Sequence, residues 1–350
     1  MIRFIIIFFL SFFAYQSFSQ DFLKNFLNDD YDSTYYDELE NLLTVKIFSA
    51  RKFSDFELND NLLDKTINYR SNPSSSVGLG VSYKWLNVNL GIGLKNPSDS
   101  IYGITNRIDL QAQINLRKLT LNFYSGRYRG FYLQNTNDIL TNENNGEYYY
   151  REDIQNMTFG VSSYYVFNSS RYSNRATFLQ NEWQKKSAGS FIAGGNLFYN
   201  SVQADSSIIP SNIIIDTIFN GVKFDRTGYF ALGGNIGYAT TLVLWEHWFF
   251  NFTILAGLSS GITTVYPENE SRISAYRLGA TILNSFGIGY NSKRFYAGLT
   301  YSNMVANSPL PIENTGMGFN VGKVNFLFAY RFKIKRKSNN ILPEWMPLKL

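Results

Sequence analysis

SVGLGVSYKWLNVNLGIGL, residues 76–94, is a period-2 pattern folded back on itself. Val77, Leu79, Val81, Tyr83 and Trp85 alternate with Ser76, Gly78, Gly80, Ser82 and Lys84. After Leu86 and Asn87 the apolar residues fall at Val88, Leu90, Ile92 and Leu94, with Asn89, Gly91 and Gly93 between them. Strand side chains point alternately to opposite faces, so each half has one apolar face and one polar or bare face. Such a hairpin suits two solvents, and a soluble sandwich supplies two as readily as a membrane does. Its repetition along the chain is what decides.

Thr44 to Phe53 carries Val45 and Ile47 opposite Thr44 and Lys46. Lys65 to Trp85 reads as one long strand kinked at Asn72, Pro73 and the serines that follow, because proline and serine inside a strand mark an edge, a bulge or a bend. The cleanest case is Arg107 to Leu116, where Ile108, Leu110, Ala112, Ile114 and Leu116 oppose Arg107, Asp109, Gln111, Gln113 and Asn115. Strict alternation of that length leaves no room for a helix. Val88 to Leu94, Leu119 to Arg127, Met157 to Phe167, Ser190 to Asn200, Tyr229 to Leu242, Trp248 to Leu258, Ala275 to Tyr290, Phe295 to Ser302 and Gly322 to Phe332 repeat the pattern. In the last, Val324, Phe326, Phe328, Tyr330 and Phe332 face away from Lys323, Asn325 and Arg331.

About 12 strands result, and their connections sort by length. Those near Leu86, Arg117 to Lys118, Val243 to Glu246 and Asn291 to Lys293 are tight, while the alternate ones are long and rich in Asn, Ser, Asp and Pro. Short periplasmic turns, long outer loops and an even strand number belong to outer-membrane barrels. Only Asn168 to Gly189 breaks the rule, being long at the tight-turn end. Trp85, Trp245 and Trp248 stand beside tight turns, where an inner aromatic girdle would lie. The fold expected is therefore all-β, an antiparallel transmembrane β-barrel over 44–332.

Composition agrees. With 30 Phe and 25 Tyr in 350 residues and a mean hydropathy of −0.18, aromatics are dense without long apolar runs. No later stretch is apolar for the roughly 18 residues a membrane helix needs. Met1-Ile2-Arg3, the apolar run Phe4 to Ala14 and the small residues Ser17 and Ser19 read as a signal peptide over 1–19, cut between Ser19 and Gln20. Residues 20–43 are then a periplasmic lead-in with a helical turn at Tyr35 to Leu43. Residues 333–350 form a basic tail carrying Lys333, Lys335, Arg336 and Lys337, suited to anionic head groups or to docking on a periplasmic partner. The net charge of +5 is spread along the chain, which does not suit nucleic acid.

Cysteine is absent and His247 is the single histidine. Thiolate zinc sites and cysteine nucleophiles are excluded, and any Ser-His-Asp arrangement would have to use His247. His247 reads as an interface or lumen residue beside a turn. No phosphate loop, dinucleotide fingerprint or calcium loop occurs, so no cofactor or metal is expected. Arg127-Tyr128-Arg129-Gly130-Phe131-Tyr132 reads as an outer aromatic girdle, with sugar or phosphate binding as the sharper alternative. By parity, the lumen-facing candidates are Arg107, Asp109, Gln111, Gln113, Arg277, Lys323 and Arg331, whose mixed charges suit internal salt links or a selective path.

The ending Ser17-Phe18-Ser19-Gln20, the run Lys46 to Phe53, the block Tyr69 to Pro73 leading to Tyr83-Lys84-Trp85-Leu86, Tyr102-Gly103, Gly130 to Leu133, Gly194-Gly195 and Asp205 to Pro210 together resemble a domain-of-unknown-function family of exported Bacteroidota proteins. The resemblance covers nearly the whole chain after the signal peptide, and it brings no catalytic residues with it. A second, architectural likeness is to the outer-membrane barrels that accompany gliding and type IX secretion machinery. The function expected is non-enzymatic: a narrow solute passage or an envelope scaffold in the outer membrane. The alternatives are a barrel enzyme acting on lipids and an accessory barrel of a secretion machinery.

Overall fold

The computed structural model describes residues 31–83, 86–141, 147–215, 217–268 and 270–333, those at 86–87, 111–113 and 115 by backbone alone. The expected signal peptide, Trp85 and all of the basic tail but Lys333 lie outside them. The described strands are β1 (Tyr36–Glu38), β2 (Leu42–Asp60), β3 (Lys65–Arg70), β4 (Ser76–Tyr83), β5 (Leu86–Gly93), β6 (Asn106–Asn115), β7 (Leu119–Leu133), β8 (Tyr150–Val166), β9 (Glu182–Gln184), β10 (Ala188–Gln203), β11 (Phe224–Leu244), β12 (Trp248–Pro267), β13 (Ile273–Asn291), β14 (Phe295–Pro309) and β15 (Thr315–Lys333). Three short helices, α1 (Asp99–Tyr102), α2 (Thr136–Ile139) and α3 (Asn174–Phe178), lie in the connections.

Ten strands close an antiparallel ring in the order β2-β3-β7-β8-β10-β11-β12-β13-β14-β15. The closing pair runs from Leu42 opposite Lys333 to Asp60 opposite Thr315, so both ends of the described barrel chain meet at one rim. Three further strands lie outside the ring: the hairpin β4-β5 pairs with β2, and β6 pairs with β7. The expectation of about 12 strands is thus replaced by ten in the ring and three beside it.

The difference arises at Asn72 and Pro73. Lys65 to Trp85 is not one strand but two, β3 and β4, which share one edge of β2 and are separated by Ser71 to Ser75. Across the break, seven residues of β2 (Ala50 to Phe56) face eight of the partner (Tyr69 to Ser76). Side chains patch the gap: the Asp55 carboxylate accepts from the Ser71 amide at 2.9 Å, and the Ser54 amide donates to Ser71 Oγ at 3.2 Å. Asn72 then ties the kink to the next loop, its amide donating to Thr105 Oγ1 (2.7 Å) and its Nδ2 to Gly103 O (2.8 Å), while Thr105 Oγ1 donates to Gly130 O (2.7 Å). Only the short contact of Tyr69 and Arg70 with Leu133 and Tyr132 carries the ring from β3 to β7.

Burial shows why several strands run past their expected ends. Toward the tight-turn rim the apolar side chains point outward, as at Leu258, Leu278 and Ile236, all more than 70% exposed. Toward the other rim the alternation inverts. In β2, Phe56 and Leu58 point inward and are buried while Glu57 and Asn59 point outward; in β8, Ile154 is buried whereas Met157 and Phe159 lower down are exposed; in β15, Met317 and Phe319 are buried and Val324 and Phe326 exposed. One strand therefore crosses from an apolar exterior into water, and a search for a single constant apolar face stops at the crossing.

Above that level the barrel holds a core like that of a water-soluble protein. Phe56, Leu58, Tyr128, Phe131, Phe198, Tyr229, Phe319 and their neighbours fill it, and the connection from 204 to 223 folds inward to add Ile208, Ile209, Ile218 and Phe219. Tyr69 Oη donates to Ile208 O at 2.7 Å, and Asp60 accepts from the Phe219 amide at 2.8 Å, which pins that connection over the opening. The expected girdle at Arg127 to Tyr132 is corrected here, since Tyr128 and Phe131 are 1% and 0% exposed. Gly130, at φ +92°, makes a bulge that turns Phe131 inward, and a side chain there would sit 2.3 Å from Ile104 O.

Candidate functional site

At the tight-turn rim, the segment from Asn168 to Ser187 folds into the barrel mouth as a plug. Its first anchor is local: Ser173 caps α3 by accepting from the Ala176 amide at 2.9 Å, and Gln184 Oε1 accepts from the Ser173 amide at 2.8 Å. Its second is β9, which pairs with β1. Tyr36 to Glu38 is therefore a strand rather than the expected helical turn, because an unpaired edge of the plug is available to it.

Five strands of the wall then hold the plug. Lys46 Nζ (β2) donates to Leu179 O at 2.9 Å, and the Arg331 guanidinium (β15) donates to Gln180 O at 2.7 and 3.0 Å. Tyr296 Oη (β14) donates to Thr177 O at 2.8 Å, Asn291 Nδ2 (β13) to Glu182 O at 3.0 Å, and Asn251 Nδ2 (β12) to Tyr172 Oη at 3.1 Å. Hydrogen bonds with a charged partner contribute about 1.5–3 kcal/mol each, and the Arg331 guanidinium is the strongest part of the lock. Arg331 is the one residue of the expected lumen set that serves it.

Inside the plug, Glu182 is 1% exposed, lies 3.3 Å from Arg175 Nη1 and accepts from Ser173 Oγ. Burial raises its carboxyl above the usual carboxylate range, against the pull of Arg175 and Ser173. A carboxyl raised on folding binds more protons in the folded state, so seating of the plug weakens as pH rises from the ordinary carboxylate value through the raised one. Trypsin cleavage at Arg171 and Lys185 should accordingly quicken across that window relative to an unfolded control peptide. Glu182→Gln should flatten the dependence; an unchanged slope would contradict the role given to Glu182.

The middle of the lumen is lined mostly by uncharged polar groups such as Asn156, Asn200, Asn235 and Thr281, bonded to one another. Charge collects on one side. Asp109 (β6) pairs with Lys52 (β2) and lies 3.8 Å from Arg107 Nε, and Arg107 Nη1 donates to Lys52 O at 3.0 Å. Lys323 (β15) stands directly opposite Lys52 across the closing pair. Arg107, Asp109 and Lys323 are thus brought together, whereas Arg277 lies apart, donating to Leu310 O at 3.3 Å near the rim opposite the tight turns. The side chains of Gln111 and Gln113 lie outside the described residues.

His247 sits in the turn after β11, stacked between Trp183 (5.1 Å between ring centres) and Tyr290 (5.2 Å), with Nδ1 3.1 Å from Asn291 O. Among the described residues no carboxylate pairs with it, and no three of His, Asp and Glu gather as metal ligands would. The ring packs the plug against the wall.

A model of one protein family, described as a domain of unknown function, DUF4421, matches residues 30–332. The chain belongs to that family. No curated protein matches the sequence. Among solved structures, this DUF4421 chain is similar to the outer membrane protease OmpT of Escherichia coli, at 10% identity over 85% of this chain and 98% of that one, with a TM-score of 0.37. It is also similar to the OmpT of Vibrio cholerae (10% identity, 83% and 98% covered, TM-score 0.26) and to the TodX monoaromatic hydrocarbon channel (9%, 84% and 91%, 0.28). The matched DUF4421 segment is the plug-bearing barrel from just before β1 to the end of β15. Its plug holders Lys46, Asn251, Asn291 and Tyr296 escaped the sequence reading, although the one long connection at the tight-turn end was the signal for a plug. Lys52 shares the parity of Lys46 and was legible in the same way.

Proposed function

We propose that the protein is a non-enzymatic, non-conducting barrel of the outer membrane that serves the envelope as a scaffold. One observation carries this: the outer half of the lumen is packed with the same apolar core that covers the inward-folded connection from 204 to 223. An eight-stranded barrel is filled by side chains and a 16-stranded one leaves an aqueous channel; this ring of ten stands near the filled end. The plug closes the opposite mouth as well. The apolar exterior band favours lipid as the surrounding medium, and His247, held by two aromatic rings and a carbonyl, has no carboxylate partner among the described residues to make it a base. The basic residues Lys333, Lys335, Arg336 and Lys337 suit a periplasmic partner.

Planar-bilayer recordings of the purified protein, run beside a phospholipid turnover assay on wild type and His247→Ala, test the proposal. No conductance steps and no turnover are expected. Steady ohmic steps would replace the scaffold with a passage, and turnover abolished by His247→Ala would make the barrel an enzyme.

A further inference from the structure

Below Asn72 no strand pairing closes the wall among the described residues. Among the described residues, β5 has β4 as its only strand partner and β6 has β7, so the facing edges of β5 and β6 are both unpaired. From Val88 to Leu94 every residue of and beside β5 is exposed, including Asn89, Gly91 and Gly93 on the face that elsewhere looks inward. The gap is roofed by the Asn72 cluster and the β3-β7 contact and runs from there toward the tight-turn rim. Unpaired strand edges against hydrocarbon cost several kcal/mol per group, which argues for something that occupies the gap.

Behind the roofed end lie Lys52, Arg107 and Lys323 with a single carboxylate, Asp109. Among the described residues three basic side chains therefore share one carboxylate, and like charges directly opposite across a strand pair, the relation of Lys52 to Lys323, destabilise a sheet. Among the described residues Lys323 Nζ has no hydrogen-bond or ion-pair partner. The hydroxyls of Tyr124 and Tyr128, on the strand that faces Arg107 and Asp109, are buried beside one another, with Ser54 next to Tyr124. A basic group without an acceptor, set beside a second one, suits a bound anion.

Four residues along the same two strands, about 13 Å at 3.3 Å per residue, Phe48 stands opposite Leu327 and begins an apolar cluster with Phe249 and Ala329. The Phe48 ring lies against the bare inner face of the β4-β5 hairpin, near enough to Gly78 and Gly91 that a side chain at Gly78 would strike it. A cationic head site, an apolar bed one acyl-chain length away and a gap toward the membrane stand in line. We propose that the gap between β5 and β6 admits a single-chain anionic amphiphile from the membrane, its head group held by Lys52, Lys323 and Arg107 and its chain lying on Phe48 and Leu327. The site does not depend on whether the barrel conducts, since it is reached through the wall.

Radiolabelled dodecanoate binding to the full chain in phosphatidylcholine nanodiscs, with empty nanodiscs subtracted, tests this. Saturable binding of one dodecanoate per chain is expected, about tenfold or more weaker in Lys323→Gln and at least as tight in Asp109→Asn, where the competing carboxylate is neutralised. Lys323→Arg should retain binding, and heat-shifted gel mobility checks that each variant is folded. Neither dodecanol nor acetate nor inorganic phosphate should displace the label at equal concentration. Absent binding, equal binding by Lys323→Gln, or loss of binding in Asp109→Asn would overturn the proposal. Equal competition by dodecanol would reduce the site to an apolar groove, and equal competition by acetate or phosphate to a site for soluble anions; either result also overturns it.

Discussion

Ile254→Arg should lower the free energy of folding into phosphatidylcholine vesicles by about 2–4 kcal/mol, whereas Thr264→Arg, ten residues further along the outward side of the same strand, should cost about 0–1 kcal/mol. Ile254 lies in the outward apolar band of β12, with Phe250, Phe252 and Leu258 around it. Thr264 is above the inversion, where its Oγ1 meets Ser274 Oγ at 2.9 Å on the exposed side of the barrel. On the proposed membrane placement, a guanidinium at 254 has no water within reach, and one at 264 is in water already. Urea titrations of folding in vesicles read the difference directly. Equal costs at the two sites would mean that β12 lies in a single medium from end to end.

The second large effect belongs to the outer core. Phe319 is 1% exposed and stacks with Tyr229 (6.3 Å between ring centres, 9° between planes) and against Phe198 (5.9 Å). Phe319→Ala removes a buried ring where three strands converge, and such truncations cost about 3–5 kcal/mol. The connection from 204 to 223 leans on the same core, so it should become sensitive to chymotrypsin at Phe219 and Phe224 before the barrel unfolds. A loss below about 1 kcal/mol, or cleavage confined to the opposite rim, would show that the core is not what closes the outer mouth.

The half of the barrel with the apolar exterior was legible because its code is local. Ile108, Leu110, Val324 and Phe326 alternate with polar neighbours and need no tertiary information to be placed on the outer face. The outer half was not, because Leu58 and Phe319 are apolar residues of the opposite parity. A reading that keeps one face apolar ends the strand where those residues begin, and this shortened β2, β8 and β15. The count of about 12 strands failed at one spot, where Asn72 and Pro73 bend the chain enough to end β3 and let β4 and β5 swing out of the ring. For the site, parity put Arg107, Asp109, Lys323 and Arg331 inward, yet their separate duties depend on partners distant in sequence. Arg331 meets Gln180, and Lys323 meets Lys52, across contacts that no spacing rule reveals. Phe131 was misplaced because β7 changes parity at Gly130, where its pairing with β8 slips by two residues, and Tyr128 because it is an aromatic residue on the inward parity of Thr120.

Because the chain has no native cysteine, single nitroxide labels can be walked along β12 from Trp248 to Pro267, and their collision with oxygen and with a water-soluble nickel complex gives the medium at each residue. Oxygen contact should be high at Phe250, Phe252, Ile254 and Leu258 and low at Asn251 and Thr253. At Thr264 the nickel complex should reach the label and oxygen should not be favoured. Oxygen contact that keeps the same alternation through Thr264, or that peaks at the odd positions, would contradict a strand that passes from lipid into water with its apolar side turning from the outside to the core.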